Sequence, residues 1–179
     1  MIRNFSIPLT DDDIKLLHVG DIVYLSGNVF TARDEAHQLL LKVPKDEIPF
    51  NVESMGLYHC GPLMEKKKGK WNVISAGPTT SSRMDLFEED FIQKFHINTI
   101  IGKGMMGEKT KNALKEKGVF FVYTGGVGAL AADQIKSVSN VYWLEDLGMA
   151  EAVWIFTVDH FGPVVVAIDS FGKSMFPKK

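Results

Sequence analysis

Short apolar runs alternate with segments of helical period along this chain, and glycine or proline marks most of the changes between them. Residues 99–101, Thr-Ile-Ile, run straight into Gly102-Lys103-Gly104-Met105-Met106-Gly107 and then a polar helix over 108–117. Residues 118–123 form a further strand, followed by Thr124-Gly125-Gly126-Val127-Gly128 and the small residues 129–132. Upstream, Thr10 caps a short acidic helix reaching Leu17, and residues 20–27 read as a strand bounded by glycines. A helix opens over 31–41, a strand follows at 56–60, and a short apolar strand spans 71–76. Two apolar runs, 152–158 and 163–169, flank Asp159-His160-Phe161-Gly162 and predict a hairpin buried on both faces. The alternation predicts an α/β fold with a mixed sheet, and 179 residues suit a single domain over 1–179.

The chemistry concentrates in residues 77–85, where Gly77 and Pro78 end a strand and Thr79, Thr80, Ser81, Ser82, Arg83, Met84 and Asp85 lead into a helix. Hydroxyls, free backbone N–H groups and one guanidinium at a helix start make an anion pocket, with Ser81 or Ser82 as the cap. Arg83 adds a fork that fits a carboxylate. An alternative is that the hydroxyls only cap the helix and Arg83 only pairs on the surface. Arg33 stands near another helix start, where the dipole disfavours a cation unless an anion lies between. His37, one turn further on, can face the same pocket.

Other function classes are excluded or weakened. A net charge of −2 and one basic cluster, Lys66-Lys67-Lys68 with Lys70, give no footprint for nucleic acid or an anionic membrane. The single cysteine, Cys60, supplies neither a disulfide nor a metal site by itself, and the five histidines show no ligand spacing, so no metal is expected on this chain. Residues 1–5 lack the apolar core of a signal peptide and no run approaches a membrane span, so a soluble, cytoplasmic protein is expected. Gly102, Gly104 and Gly107 match the dinucleotide fingerprint, but the acid that should follow about 20 residues later is missing.

Three segments together carry a resemblance: Thr31-Ala32-Arg33-Asp34-Glu35-Ala36-His37, residues 77–85, and Ile101-Gly102-Lys103-Gly104. In their order and spacing the chain closely resembles the β subunit, or C-terminal domain, of class I iron–sulfur fumarases and L-tartrate dehydratases. The likeness extends through Thr124-Gly125-Gly126, Gly148-Met149-Ala150-Glu151-Ala152 and residues 161–172. It implies a swivelling β/β/α domain and a half enzyme. Its [4Fe–4S] cluster would be held by the cysteines of a separate α subunit, with one iron open as a Lewis acid, in an (αβ)2 or similar oligomer.

Carried over by motif, Arg33, Thr80, Arg83 and Lys103 would bind the two carboxylates of a four-carbon dicarboxylate. Thr79 would be the base, with Arg83 and Lys103 stabilising charge, and Asp34 and His37 would orient Arg33. The resemblance implies reversible hydration of fumarate to L-malate as the first reading, and L-tartrate dehydration as the alternative. A non-catalytic anion-binding module is the reading from another class.

Overall fold

The computed structural model describes residues 3–124 and 126–176. Gly125 of the glycine loop lies outside the described residues. In chain order the elements are β1 (Arg3–Ile7), α1 (Asp11–Leu16), β2 (Ile22–Thr31), α2 (Asp34–Lys42), β3 (Gly56–Tyr58), β4 (Leu63–Lys67) and β5 (Lys70–Ser75). They continue with α3 (Asp85–Phe95), β6 (Thr99–Gly102), α4 (Glu108–Leu114), β7 (Val119–Tyr123), α5 (Gly128–Gln134), β8 (Ile135–Tyr142), α6 (Leu144–Leu147) and β9 (Val153–Ile168).

Strands β1, β2, β3, β6 and β7 run parallel, as expected for strands joined by helical crossovers, and β9 and β8 continue the sheet antiparallel in the order β1-β2-β3-β6-β7-β9-β8. Because β9 also pairs with β2, from Ile22↔Val165 to Phe30↔Ile155, the sheet folds back on itself. This is the mixed α/β sheet that the alternation predicts.

Successive strand residues face opposite cores. Leu25, Tyr58, Phe121, Trp154, Phe156 and Phe161 pack on one side with Ile14 of α1 and Ala131 of α5. Phe30, Leu57, Ile100, Phe120 and Ile155 pack on the other with Leu40 of α2, Phe91 and Phe95 of α3 and Leu114 of α4. All of these large side chains are essentially withdrawn from water. At about 25 cal/mol per Å2 of apolar surface, this burial is the main stabilising contribution.

Three local expectations are corrected. The predicted terminal hairpin is one strand, β9, because residues 159–162 keep pairing: Leu25 meets Phe161 across the ladder, with register shifts on either side. Left-handed backbone at His160 (φ 53°) bends the strand without reversing it. The strand before the anion stretch, β5, joins the separate β4–β5 hairpin and not the main sheet, with Lys68 and Gly69 at the turn. Finally, β2 runs to Thr31, so the second helix starts at Asp34 and Arg33 occupies its N-cap position.

Candidate functional site

Parallel strands point their carboxyl ends the same way, and in open α/β sheets the loops leaving those ends form the ligand crevice. Here β2 ends two residues before Arg33, β3 ends at Tyr58 before His59, and β6 ends at Gly102 before Lys103. The 77–85 stretch is drawn to the same end by backbone bonds. Thr79 N–H donates to the His59 carbonyl at 2.7 Å, Ser81 N–H donates to the Lys103 carbonyl at 2.8 Å, and Thr80 forms a parallel bridge with Lys103. Arg83 Nη2 donates to Asp34 Oδ2 at 2.7 Å, which ties the turn to the start of α2. Arg33, Thr79, Thr80, Arg83 and Lys103 are thus brought to one rim.

Their surroundings differ. The Arg33 side chain is 22% exposed, with Nε 3.2 Å from Glu151 Oε1, and a side chain on Gly61 would strike Arg33 Nη1. Glu151 also accepts the Glu35 N–H at 3.0 Å, so one carboxylate serves both the guanidinium and the first turn of α2. Arg83 is 52% exposed, so its pair with Asp34 contributes at most about 1 kcal/mol. Lys103 forms no ion pair among the described residues. Asp34 was expected to orient Arg33, yet it contacts Arg83; Glu151 takes the part assigned to it.

Ser81 does not cap the helix. A short 3-10 turn, Ser81–Arg83, precedes α3, and the N-cap position of α3 is Met84, with no side-chain cap. The Ser81 hydroxyl points inward, accepting the Lys103 N–H at 3.0 Å and lying 2.8 Å from His59 Nδ1. His59 Nε2 lies 2.6 Å from Glu88 Oε1, and His37 Nε2 reaches the same oxygen at 3.1 Å. His37 Nδ1 sits 2.7 Å from the Arg33 carbonyl. His37, His59, Ser81 and Glu88 are all fully buried. His37 therefore meets the backbone of Arg33 from below and does not face the open rim.

Burial pushes the Glu88 carboxyl up, but the neighbouring His59 ring and the hydrogen bonds from both rings outweigh it and hold the group at about 2. Burial dominates for His59, lowering it below the ordinary imidazole range despite Glu88 nearby. Neither Glu88 nor His59 was singled out from sequence. A signal was present for Glu88: it falls on the stripe Met84, Glu88, Phe91, Ile92, Phe95, an acid at a core-facing position of an amphipathic helix. Glu151 left no comparable mark.

The three glycines of the apparent dinucleotide fingerprint have local causes. A Cβ on Gly102 would overlap Ser81 Oγ, Gly104 takes φ 77°, and Gly107 N–H donates to Asp85 Oδ1 at 2.8 Å. A pocket of about 310 Å3 lined by Ser82, Asp85, Met105, Met106, Gly107 and Lys111 lies alongside, and the five rim residues are not among its walls. Of the three cations Arg83 is exposed, and Arg33 and Lys103 are half-buried. Cys60 is buried, bridged to Pro78 and pushed by burial far from thiolate character, so this chain has no donor set that fits an iron–sulfur cluster. None of the described helices is long and apolar enough to cross a membrane.

Fold and rim together define an α/β domain that gathers basic and hydroxyl side chains at the carboxyl ends of parallel strands. The chain belongs to the family described as Fumarase C-terminus, whose model matches residues 3–179. It is 46% identical over 94% of its length to a putative L(+)-tartrate dehydratase subunit beta of Methanocaldococcus jannaschii, covering 88% of that protein. It is 36% identical over 98% of its length to the L(+)-tartrate dehydratase subunit beta of Escherichia coli K12, covering 87% of it. A putative fumarate hydratase class I of Geobacillus stearothermophilus is 41% identical over 94% of this chain, which spans 32% of that protein.

Proposed function

We propose that this chain is the β subunit of a two-subunit hydro-lyase acting on a four-carbon dicarboxylate, with L-tartrate as the substrate. Sequence motifs alone put fumarate and malate first; the relatives support the tartrate alternative. Two relatives of similar length are named as tartrate dehydratase β subunits, whereas the fumarate hydratase is about three times longer than the matched segment. The observation that carries the reading is the gathering of Arg33, Thr79, Thr80, Arg83 and Lys103 on one open rim.

Dehydration of a 2-hydroxy dicarboxylate breaks a C–H bond alpha to one carboxylate and the C–O bond on the neighbouring carbon. Proton and hydroxyl are lost together as water and a C=C bond forms, and the cluster's open iron would supply a Lewis acid for the departing hydroxyl. Negative charge grows on that carboxylate as the C–H bond breaks. Fixed cations aimed there favour the transition state over the ground state. Arg33, Arg83 and Lys103 supply that charge, Thr80 adds a hydroxyl donor, and Thr79 takes the proton. A threonine hydroxyl serves as a base only where neighbouring cations favour its alkoxide. The open rim supports a second subunit that closes over the substrate. The [4Fe–4S] cluster of the reading is carried by that cysteine-bearing α subunit, since the one cysteine here does not fit it.

Anaerobic reconstitution with the α partner, assayed side by side on L-tartrate, L-malate and fumarate, tests the assignment. The expected result is a kcat/KM on tartrate at least tenfold above that on malate, and a reversed ratio returns the fumarate reading. Arg83→Ala in that complex should lower turnover by about 100- to 1000-fold, the loss typical of one donor to a developing oxyanion. Near-native kinetics for Arg83→Ala would remove the rim from the active site.

A further inference from the structure

We infer that Glu88, acting with His59, is a positioning residue: from one buried carboxylate oxygen it ties the start of α2, which carries Arg33, to the turn that carries Ser81 and Arg83 and, through Ser81, to Lys103 at the end of β6. The inference rests on the hydro-lyase reading for its functional arm and on geometry alone for the rest.

The proton positions follow from which groups can only accept and which can only donate. The Arg33 carbonyl can only accept, so His37 Nδ1 carries a hydrogen. The Lys103 N–H can only donate, so Ser81 Oγ accepts it; His59 Nδ1 is the only other hydrogen-bond partner of this buried hydroxyl among the described residues, so the hydroxyl hydrogen goes to His59 Nδ1. The His59 proton then lies on Nε2, aimed at Glu88 Oε1. His37 Nε2 lies 3.1 Å from the same oxygen, so both rings share one carboxylate oxygen. The result is an unbroken chain from the Arg33 carbonyl through His37, Glu88, His59 and Ser81 to the Lys103 amide.

Such a network is expensive to keep dry. Apolar residues of similar volume would fill the space at equal or better stability, so stability alone does not account for it. It does fix the two cation-bearing segments against each other, and a displacement of about 1 Å in such a site costs about 100-fold in rate. The same three groups could also be read as a metal cage, since His37, His59 and Glu88 offer ligand atoms within 4.8 Å of one another. The 2.6 and 3.1 Å separations are hydrogen-bond lengths, and both Nδ1 atoms have oxygen partners, so the hydrogen-bonded form is the consistent one.

The test uses Glu88→Gln and Glu88→Met in the reconstituted complex, together with 15N imidazole spectra of the full chain. Expected are a drop in kcat of about 100-fold for both variants at unchanged complex yield and a His59 ring protonated on Nε2. The proposal is overturned by a kcat within threefold of native, by losses that merely track the fraction of folded complex, by a His59 ring protonated on Nδ1, or by one equivalent of bound metal in the purified chain. A native complex inactive on every dicarboxylate would instead defeat the hydro-lyase reading. The spectra would then still decide whether the chain of hydrogen bonds exists.

Discussion

The two faces of the sheet are both dry, but they are filled by different chemistry. On one side Trp154 meets Trp71 edge-on at 5.0 Å, and Phe161 meets Tyr58 and Tyr123 in the same manner at 5.2 and 5.0 Å. The phenols there lean on main-chain oxygens: Tyr58 on the Ala76 carbonyl at 2.5 Å, Tyr123 on that of Gly162 at 3.0 Å. Under the helices, by contrast, the apolar packing of Phe91 and Phe95 gives way toward the rim to His37, His59, Glu88 and Ser81, with Phe91 only 4.7 Å from the His37 ring. Aromatic packing is non-directional enough to tolerate small shifts, whereas a shared carboxylate oxygen fixes angles as well as distances. The first region stabilises the fold and the second orients it.

The contrast is broken most forcefully by Trp154→Ala, which removes a fully buried ring and should cost about 3 to 5 kcal/mol of stability, read as a drop in denaturation midpoint. Activity per folded complex should stay close to native. Gly102→Ala attacks the other region: the new methyl displaces the Ser81 hydroxyl, costing about 1 to 3 kcal/mol by overpacking. It should depress turnover far more than stability, and equal losses in both would erase the distinction.

Acidification sharpens the contrast with the smallest effect near neutrality. His59 is lowered in the folded state, so the unfolded chain binds its proton first, and stability should begin to fall as pH drops below the ordinary value of 6.5. Glu88 is held at about 2 against an ordinary 4.5, so its contribution is complete above 4.5 and lost as pH falls toward 2. Denaturation midpoints of Glu88→Gln should lack the lower of these two descents.

The parallel strands β2, β3, β6 and β7 were legible because a glycine closes or follows each apolar run, whereas β1 over residues 3–7 was not. The bend in β9 was not, since a left-handed His160 beside Gly162 looks like a turn until its ladder partners are known. Nor was β8, whose residues Ser137, Ser139 and Asn140 dilute any strand signal. Arg33 could be picked out because a cation beside a helix start is out of place without an anion, and Arg83 because its fork suits a carboxylate, while the roles of Thr79, Thr80 and Lys103 came with the family resemblance. Glu151 could not, since it meets Arg33 across more than a hundred residues and only tertiary structure brings them together. Ser81 was read as a cap because its position relative to the helix permits one; the demand of His59 for a partner overrides that local preference.

Arg33 and Arg83 each come with a built-in counter-ion, Glu151 and Asp34. An arriving ligand must therefore exchange with an internal carboxylate at both places, so a lone monoanion such as chloride or acetate has little to gain by docking. A molecule carrying two carboxylates on one short skeleton makes both exchanges at the entropic cost of one arrival. On the proposed function, Arg33 and Arg83 in the resting rim would thus favour two linked carboxylates over one.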